Sequence, residues 1–529
     1  MKQFSWLRSR AISVVVSILF SFFSVTGIAS RLELTTKAWT VSLVMLLAVY
    51  AILFLFLAEL FRRGPGTCTA QLPLPGLPAT FGLLLLCWLP TYLAFYPGVF
   101  GYDGPVQINY LVTHTLSAHH PVFHTWLLGG CFWLGHLLGG YDIGLAIYTA
   151  LQTLLVAFAG AYVLNWLRCR NVPALVWWFA AFFFAANPVL PLLNMNTTKD
   201  VPFSACFVLV FVSLIDLLEQ GMTGDRAGVR RLILFAAASF FLCLMRNQGY
   251  YLLFAVAVIT VLVLRRLRIR VAALALVLAL AGWFCMNPLM SLLGIPKGDA
   301  REMLSVPIQQ LACVWNQDRE GKLTLTAAER QGIEELIAPE YLIQYLPCNT
   351  DPVKTGFETE VLKGDLSKYL GLYVRLGLEH PDAYLEAFLD LSSGFWDIGQ
   401  PGAYRHLMVT NSFPDLLGEE YDIQVDSKWE GYRSYLTLYV SHFADLPLLN
   451  ILFGNALPAW LMLALLIAVI FRRRWELFCA VMFCAGQWGI CLLSPAMLVR
   501  YCMSLMLCLP VFVGLLCEAM LRPKAESAR

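Results

Sequence analysis

The chain has 529 residues, of which 59% are hydrophobic and only 14% charged, with a mean hydropathy of +0.67. Soluble domains carry roughly a quarter charged residues, so this composition excludes a soluble protein and predicts an integral membrane one. The formal net charge of +2, from 37 Lys and Arg against 35 Asp and Glu, argues against nucleic-acid binding as the main role.

Apolar runs predict about twelve transmembrane helices, most long enough to cross roughly 30 Å of hydrocarbon. They fall near residues 11–29, 39–60, 79–96, 143–166, 173–193, 201–219, 231–246, 249–265, 271–294, 450–471, 475–493 and 496–521. The cysteines sit mostly inside these runs, where Cys acts as a small hydrophobe, and no CxxC pair or Cys/His cluster points to structural zinc.

Short connections that collect cations mark the cytoplasmic side. Lys2, Arg8, Arg10, Arg62, Arg63, Arg168, Arg170, Arg226, Arg230, Arg231, Arg265 to Arg270, Arg472 to Arg474, Arg522, Lys524 and Arg529 all fall on one side of this reading. Both termini are therefore expected in the cytoplasm. The first span also reads as a signal peptide, since a basic stretch precedes it, but its length favours an anchor. Either way the later topology is the same.

The opposite side receives a connection from 97 to 142 that contains no Lys or Arg, and everything from 296 to 449. The latter stretch holds 24 Asp and Glu against 12 Lys and Arg and reads as an acidic, mainly helical, soluble outside domain. Leu366, Leu370, Tyr373 and Leu376 recur there at helical spacing. Cys313 and Cys348 lie in it and would pair only in an oxidising compartment and at suitable geometry.

Residues with chemical potential gather on the outside. In the stretch FYPGVFGYDGPVQINYLVTHTLSAHHPVFHT, Asp103 is a lone carboxylate between Gly101 and Gly104, with Gln107 four residues on. A carboxylate beside the bilayer is costly and tends to be functional, although GYDGP is also turn and helix-cap chemistry. His119, His120 and His124 follow His114. They read as substrate contacts, as interfacial polarity, or as metal ligands, His119 with Asp103 and Asp200 supplying nitrogen and oxygen donors.

Asn194 to Asp200, NMNTTKD, precedes Pro202 and reads as an outer helix start, where the helix dipole favours the Asp200 carboxylate. Lys199 places a cation beside it. In MRNQGYY, Arg246 is an outside cation followed by Asn247 and Gln248, which suggests anion binding, as do Arg500 and Tyr501 in the last span. Snorkelling to the headgroups is the plainer account of both arginines. Glu302, Gln309 and Gln310 lie just beyond the ninth span, where a lipid-linked substrate is within reach and a short surface helix serves nearly as well.

Together, YPGVFGYDGPVQ, HHPVFHT, NTTKDVPF, LMRNQGYY and SVPIQQ resemble a bacterial branch of the GT-C superfamily, polytopic glycosyltransferases that use polyprenyl-phosphate-linked sugars. The resemblance covers roughly residues 79–310 and the Arg500-Tyr501 pair. It implies an all-α polytopic fold with two added helices in 1–78, a seven-helix core in 79–295, the outside domain in 296–449 and three helices in 450–529. It also implies transfer of a sugar to a glycan, lipid or protein acceptor on the outer face of the bacterial plasma membrane, with inversion. Asp103 would be the catalytic base and Asp200 would assist. Lys199, Arg246, Asn247, His119, His120, Gln107, Glu302, Gln310, Arg500 and Tyr501 would bind substrate. No cofactor is expected to be required, with a divalent metal as the open alternative. YDG stands where other branches show paired acids. The rival readings are a transporter or flippase, a polysaccharide polymerase or ligase of the envelope, and a membrane scaffold.

Overall fold

The computed structural model describes residues 74–399, 417–442 and 447–521. The spans read at 11–29 and 39–60 and the C-terminal tail lie outside the described residues. Those described form helices and connections without a β-strand. Seven helical stretches are long and apolar enough to cross a membrane.

The bundle contains α1 (Leu77–Ala94), α2 (Gly104–Val112), α3 (Val122–Leu138), α4 (Tyr141–Cys169), α5 (Ala174–Ala186), α6 (Val189–Asn194), α7 (Asp200–Gln220), α8 (Arg226–Met245), α9 (Gln248–Leu264) and α10 (Ile269–Met286). The 296–449 region contributes α11 (Ser305–Arg319), α12 (Ala327–Leu336), α13 (Leu366–Glu379), α14 (Pro381–Ser392) and α15 (Glu430–Ser441), with several shorter helices between them. The chain then returns to the bundle as α16 (Ala456–Arg472), α17 (Trp475–Leu492) and α18 (Val499–Leu521).

Two sequence expectations change. The connection 97–142 is not a loop: it folds into α2 and the apolar α3, which packs along α4. Gly144 permits that approach, since a Cβ there would lie 2.7 Å from the Phe132 Cα. The span read as 173–193 is interrupted at Asn187 and Pro188, because the proline ring cannot continue α5 and the Asn187 side chain instead accepts from the Val189 amide at 2.9 Å.

α7 is apolar on every face, as a helix surrounded by protein must be, and its apolar window is wholly buried. It packs against α4, α8, α17 and α18, and the corresponding window of α18 is 89% buried. These two helices form the axis of the bundle, so whatever stands at their ends is held by many neighbours. At one end, Arg170 pairs with Glu219 and Glu518 at 2.7 Å each, and Arg474 with the same two carboxylates at 2.6 and 2.9 Å. At the other end lie Asp200 and Arg500.

The 296–449 region has a second core, built on Ile308, Val314, Ile333, Leu376 and Ala387 from α11 to α14. A capping box starts α12, with Thr326 and Glu329 each accepting from the other's backbone amide. This region docks on the bundle: the Thr350 amide donates to the Pro495 carbonyl at 2.8 Å, and the Trp488 and Trp460 indoles donate to the Phe395 and Trp396 carbonyls. Cys313 is buried and Cys348 exposed, and both are free thiols.

Candidate functional site

Asp103 and Lys199 lie 96 positions apart in the chain, and backbone pairing brings them together. The Val99 amide donates to the Met195 carbonyl at 2.7 Å and the Thr197 amide to the Val99 carbonyl at 3.3 Å. Thr197 Oγ1 accepts from the Gly101 amide and donates to the Gly101 carbonyl at 2.8 Å. Gly104 permits this contact, because a Cβ there would collide with the Thr197 side chain. Below the seam, Gln152 donates to the Asn194 and Asn196 carbonyls. NMNTTKD is thus a buried brace that fixes the Asp103 loop against the start of α7.

Lys199 Nζ donates to Asp103 Oδ2 at 2.6 Å and to His120 Nδ1 at 3.1 Å. Since that ring nitrogen accepts from an ammonium, His120 carries its proton on Nε2. Burial, followed by the Lys199 charge, pushes the imidazole down to about 2, so it stays neutral. Burial alone would raise the Asp103 carboxyl, but the Lys199 and Arg500 charges outweigh it and hold the group well below the ordinary carboxylate value.

Arg500, at the start of α18, bridges both acids. Its Nη1 is 3.4 Å from Asp103 Oδ2, 3.2 Å from Asp200 Oδ2 and 3.3 Å from Thr198 Oγ1. Its guanidinium lies over the Tyr102 ring at 4.6 Å and the Tyr501 ring at 5.0 Å. Arg246 caps α8, pairs with Asp200 Oδ1 and lies over Tyr501 at 5.4 Å. With its amide oxygen turned toward Arg246, Gln248 accepts from Nε and Nη2 at 2.6 Å each and donates to Gln487 at 3.1 Å. Three cations and two carboxylates therefore share one end of the bundle, leaving a positive excess.

Asp103, Lys199, Arg246 and Arg500 line one wall of a cavity of about 670 Å³. His119, Asn247 and Ser494 lie around it, and Tyr251, Ile490, Leu493 and Met303 form an apolar lip. Tyr251 is 58% exposed, Leu493 60% and Met303 79%, so the lip opens away from the protein core. The 296–449 region supplies the facing wall, where Lys354 joins Glu302 and Asp351 at 2.8 Å each. Burial would lower the Lys354 ammonium, but Asp351 and Glu302 raise it above its ordinary value.

Asp103, Lys199, Arg246, Asn247, His119, His120, Glu302, Arg500 and Tyr501 thus line one cavity, as grouped from sequence. Three candidates take other places. Asp200 is 1% exposed, does not line the cavity, and spends its oxygens on Arg246, Arg500 and Thr198. Gln107 is fully buried behind the wall, 2.9 Å from His124 Nδ1, whose Nε2 in turn lies 2.7 Å from the Tyr148 hydroxyl. Gln310 belongs to the second core, donating to the Tyr384 carbonyl and accepting from Tyr373. The neighbouring Gln309 donates to the Leu346 carbonyl at 2.7 Å.

Sequence reasoning did not single out Lys354 and Asp351, which reach the site through tertiary docking, nor Thr198 and Tyr102. Tyr102 carried one usable signal: it precedes the lone acid, and its φ of 53° bends the loop so that Asp103 can turn toward Lys199. Among the described residues, no three His, Cys, Asp or Glu side chains are arranged to hold a metal ion.

No curated protein and no solved structure matches the chain. A family model described as "Family of unknown function (DUF6020)" matches residues 109–529, which include Lys199, Asp200, Arg246 and Arg500 and begin just after Asp103. The match spans most of the chain, and the protein is a member of the DUF6020 family.

Proposed function

We propose that the protein is a glycosyltransferase that moves a sugar from a polyprenyl-phosphate donor to an acceptor hydroxyl on the outer face of the membrane. One observation carries the reading. Asp103 gives Oδ2 to Lys199 and Arg500, while Oδ1 has no hydrogen-bond partner among the described residues. A proton acceptor and two phosphate ligands therefore stand at a single point of the cavity.

The chemistry requires that juxtaposition. The acceptor oxygen forms a bond to the anomeric carbon, the bond from that carbon to the phosphate oxygen breaks, and the acceptor proton passes to Asp103 Oδ1. Lys199 and Arg500 neutralise the departing lipid phosphate. Attack opposite the leaving group inverts the anomeric centre. Asp200 takes no proton; it holds Arg246 and Arg500 in register. The apolar lip at Tyr251, Ile490 and Leu493 gives the polyprenyl tail a way out toward lipid.

Sidedness follows from the opposite end of the bundle, which carries Arg168, Arg170, the cations from Arg226 to Arg231, those from Arg265 to Arg270, and Arg472 to Arg474. The positive-inside rule makes that end cytoplasmic and the cavity extracytoplasmic. A transporter would instead keep its ionisable residues near the bilayer midplane. Here they sit at helix ends, and α7 carries no Asp, Glu, Lys, Arg or His between Asp200 and Asp216.

The test is purified protein in liposomes with a panel of short-chain polyprenyl-phosphate hexoses and a mixed hydroxyl acceptor, with and without chelator. Sugar leaving the lipid in the chelated sample is expected. Movement of intact lipid-linked sugar across the bilayer without cleavage would contradict the proposal and favour a flippase.

A further inference from the structure

Lys199 and Arg500 are asked to serve two anions, Asp103 and the donor phosphate. An ammonium has three donors, and Lys199 gives one to Asp103 Oδ2 and one to His120 Nδ1. Arg500 reaches the same Asp103 oxygen at 3.4 Å, and its Nε is buried without a partner. A phosphate entering the cavity can take the third Lys199 N–H at once, and as it draws the ammonium and the guanidinium toward itself it competes with Asp103 Oδ2 for their charge. While both cations stay on Oδ2, Asp103 is a poor proton acceptor, because an adjacent positive charge favours the ionised carboxylate.

We propose, resting on the glycosyl-transfer reading, that the donor phosphate itself switches Asp103 into a base by drawing Lys199 and Arg500 off Oδ2, so that an acceptor is deprotonated only when donor is in place. The coupling is electrostatic and needs no domain movement. His120 is the positioning residue: its Nδ1 keeps Lys199 beside both ligands as the ammonium turns from carboxylate to phosphate. The consequence is order, with donor binding preceding productive acceptor binding.

Every charged or titratable group around Asp103 bears on the test. Lys199, Arg500 and His120 contact it or lie within 4 Å. Tyr102, Tyr110, Tyr501, His119 and His124 feel its charge from neighbouring elements, Asp200 shares Arg500 with it, and Arg246, Glu302, Asp351 and Lys354 line the same cavity. Of these, the phosphate most directly alters Asp103, because it shares that residue's two cations.

Two measurements use a short-chain polyprenyl-phosphate hexose as probe, a phosphodiester with no proton of its own to exchange near pH 5. Calorimetric binding to the full-length wild-type protein in buffers of different ionisation enthalpy is expected to show proton uptake near pH 5 that fades toward pH 7. The sign follows from the arriving anion, which raises the Asp103 carboxyl from its depressed position. Binding to Asp103→Asn is expected to be about tenfold tighter than to wild type, because the internal competitor for Lys199 and Arg500 is gone. Wild-type binding without proton uptake, or equal or weaker binding to a folded Asp103→Asn, overturns the switch and leaves the transferase reading standing. No probe binding to either protein removes that reading and the switch together. If Asp103→Asn does not fold, the wild-type proton count decides alone.

Discussion

Asp103→Asn is expected to lower sugar transfer by about a thousandfold while leaving the protein folded, within the range by which a positioned general base contributes. The substitution is nearly isosteric, and an amide oxygen still accepts from Lys199, so the loop seam between Val99 and Thr197 has no reason to open. What is lost is the capacity of Oδ1 to take a proton. Transfer rates in liposomes, with thermal unfolding in detergent as the control for folding, check both halves. Transfer at the wild-type rate would remove Asp103 from the mechanism. The pH dependence has a definite sign. Because the carboxyl is held below its ordinary value, its contribution to folding stability is present above the unfolded value and lost only as pH falls through the depressed one. Asp103→Asn should therefore flatten the acid limb of the stability profile.

Arg500→Gln carries the largest expected cost in stability. Arg500 is buried and bridges Asp103 and Asp200 across the start of α18. Removing it leaves Asp103 to Lys199 and Asp200 to Arg246, thinning a buried charge network at a cost of about 3 kcal/mol, the low end for breaking a buried pair. Donor binding falls with it. Arg500→Lys restores the charge but not the flat guanidinium that lies over Tyr102 and Tyr501, so it should recover most of the unfolding temperature and only part of the transfer rate. Unfolding temperatures for the three proteins read the first effect, and donor KM the second. An Arg500→Gln protein as stable as wild type would mean that the bridge is not formed.

The comparison of these residues also shows what sequence could and could not reveal. Lys199, Arg246 and Arg500 were legible because a cation on the side where topology disfavours one calls for a reason. Asp103 was legible because its segment carries no other charge before Asp142. Their meeting was not legible, since it depends on a short backbone seam with no side-chain signature beyond Thr197 and small residues. Gln107 and Gln310 misled for a common reason: an amide near a candidate acid looks functional, yet here each satisfies a buried partner, His124 in one case and Tyr373 with the Tyr384 carbonyl in the other. α3 was hidden because its glycines and histidines interrupt an otherwise apolar run. The wall built by Lys354, Glu302 and Asp351 arises only when the outside region docks through Thr350 and Pro495, a contact between segments far apart in the chain.

The central claim is that the cation cluster at the end of α7 and α18 holds a donor phosphate beside Asp103. Its most direct test is an experimental structure of the protein with a non-hydrolysable polyprenyl-phosphate sugar. The account predicts the phosphate within hydrogen-bonding distance of Lys199 and Arg500, the anomeric carbon facing Asp103 Oδ1, and the tail leaving past Tyr251 and Leu493. A phosphate bound elsewhere, with Lys199 and Arg500 still closed on Asp103, would contradict it.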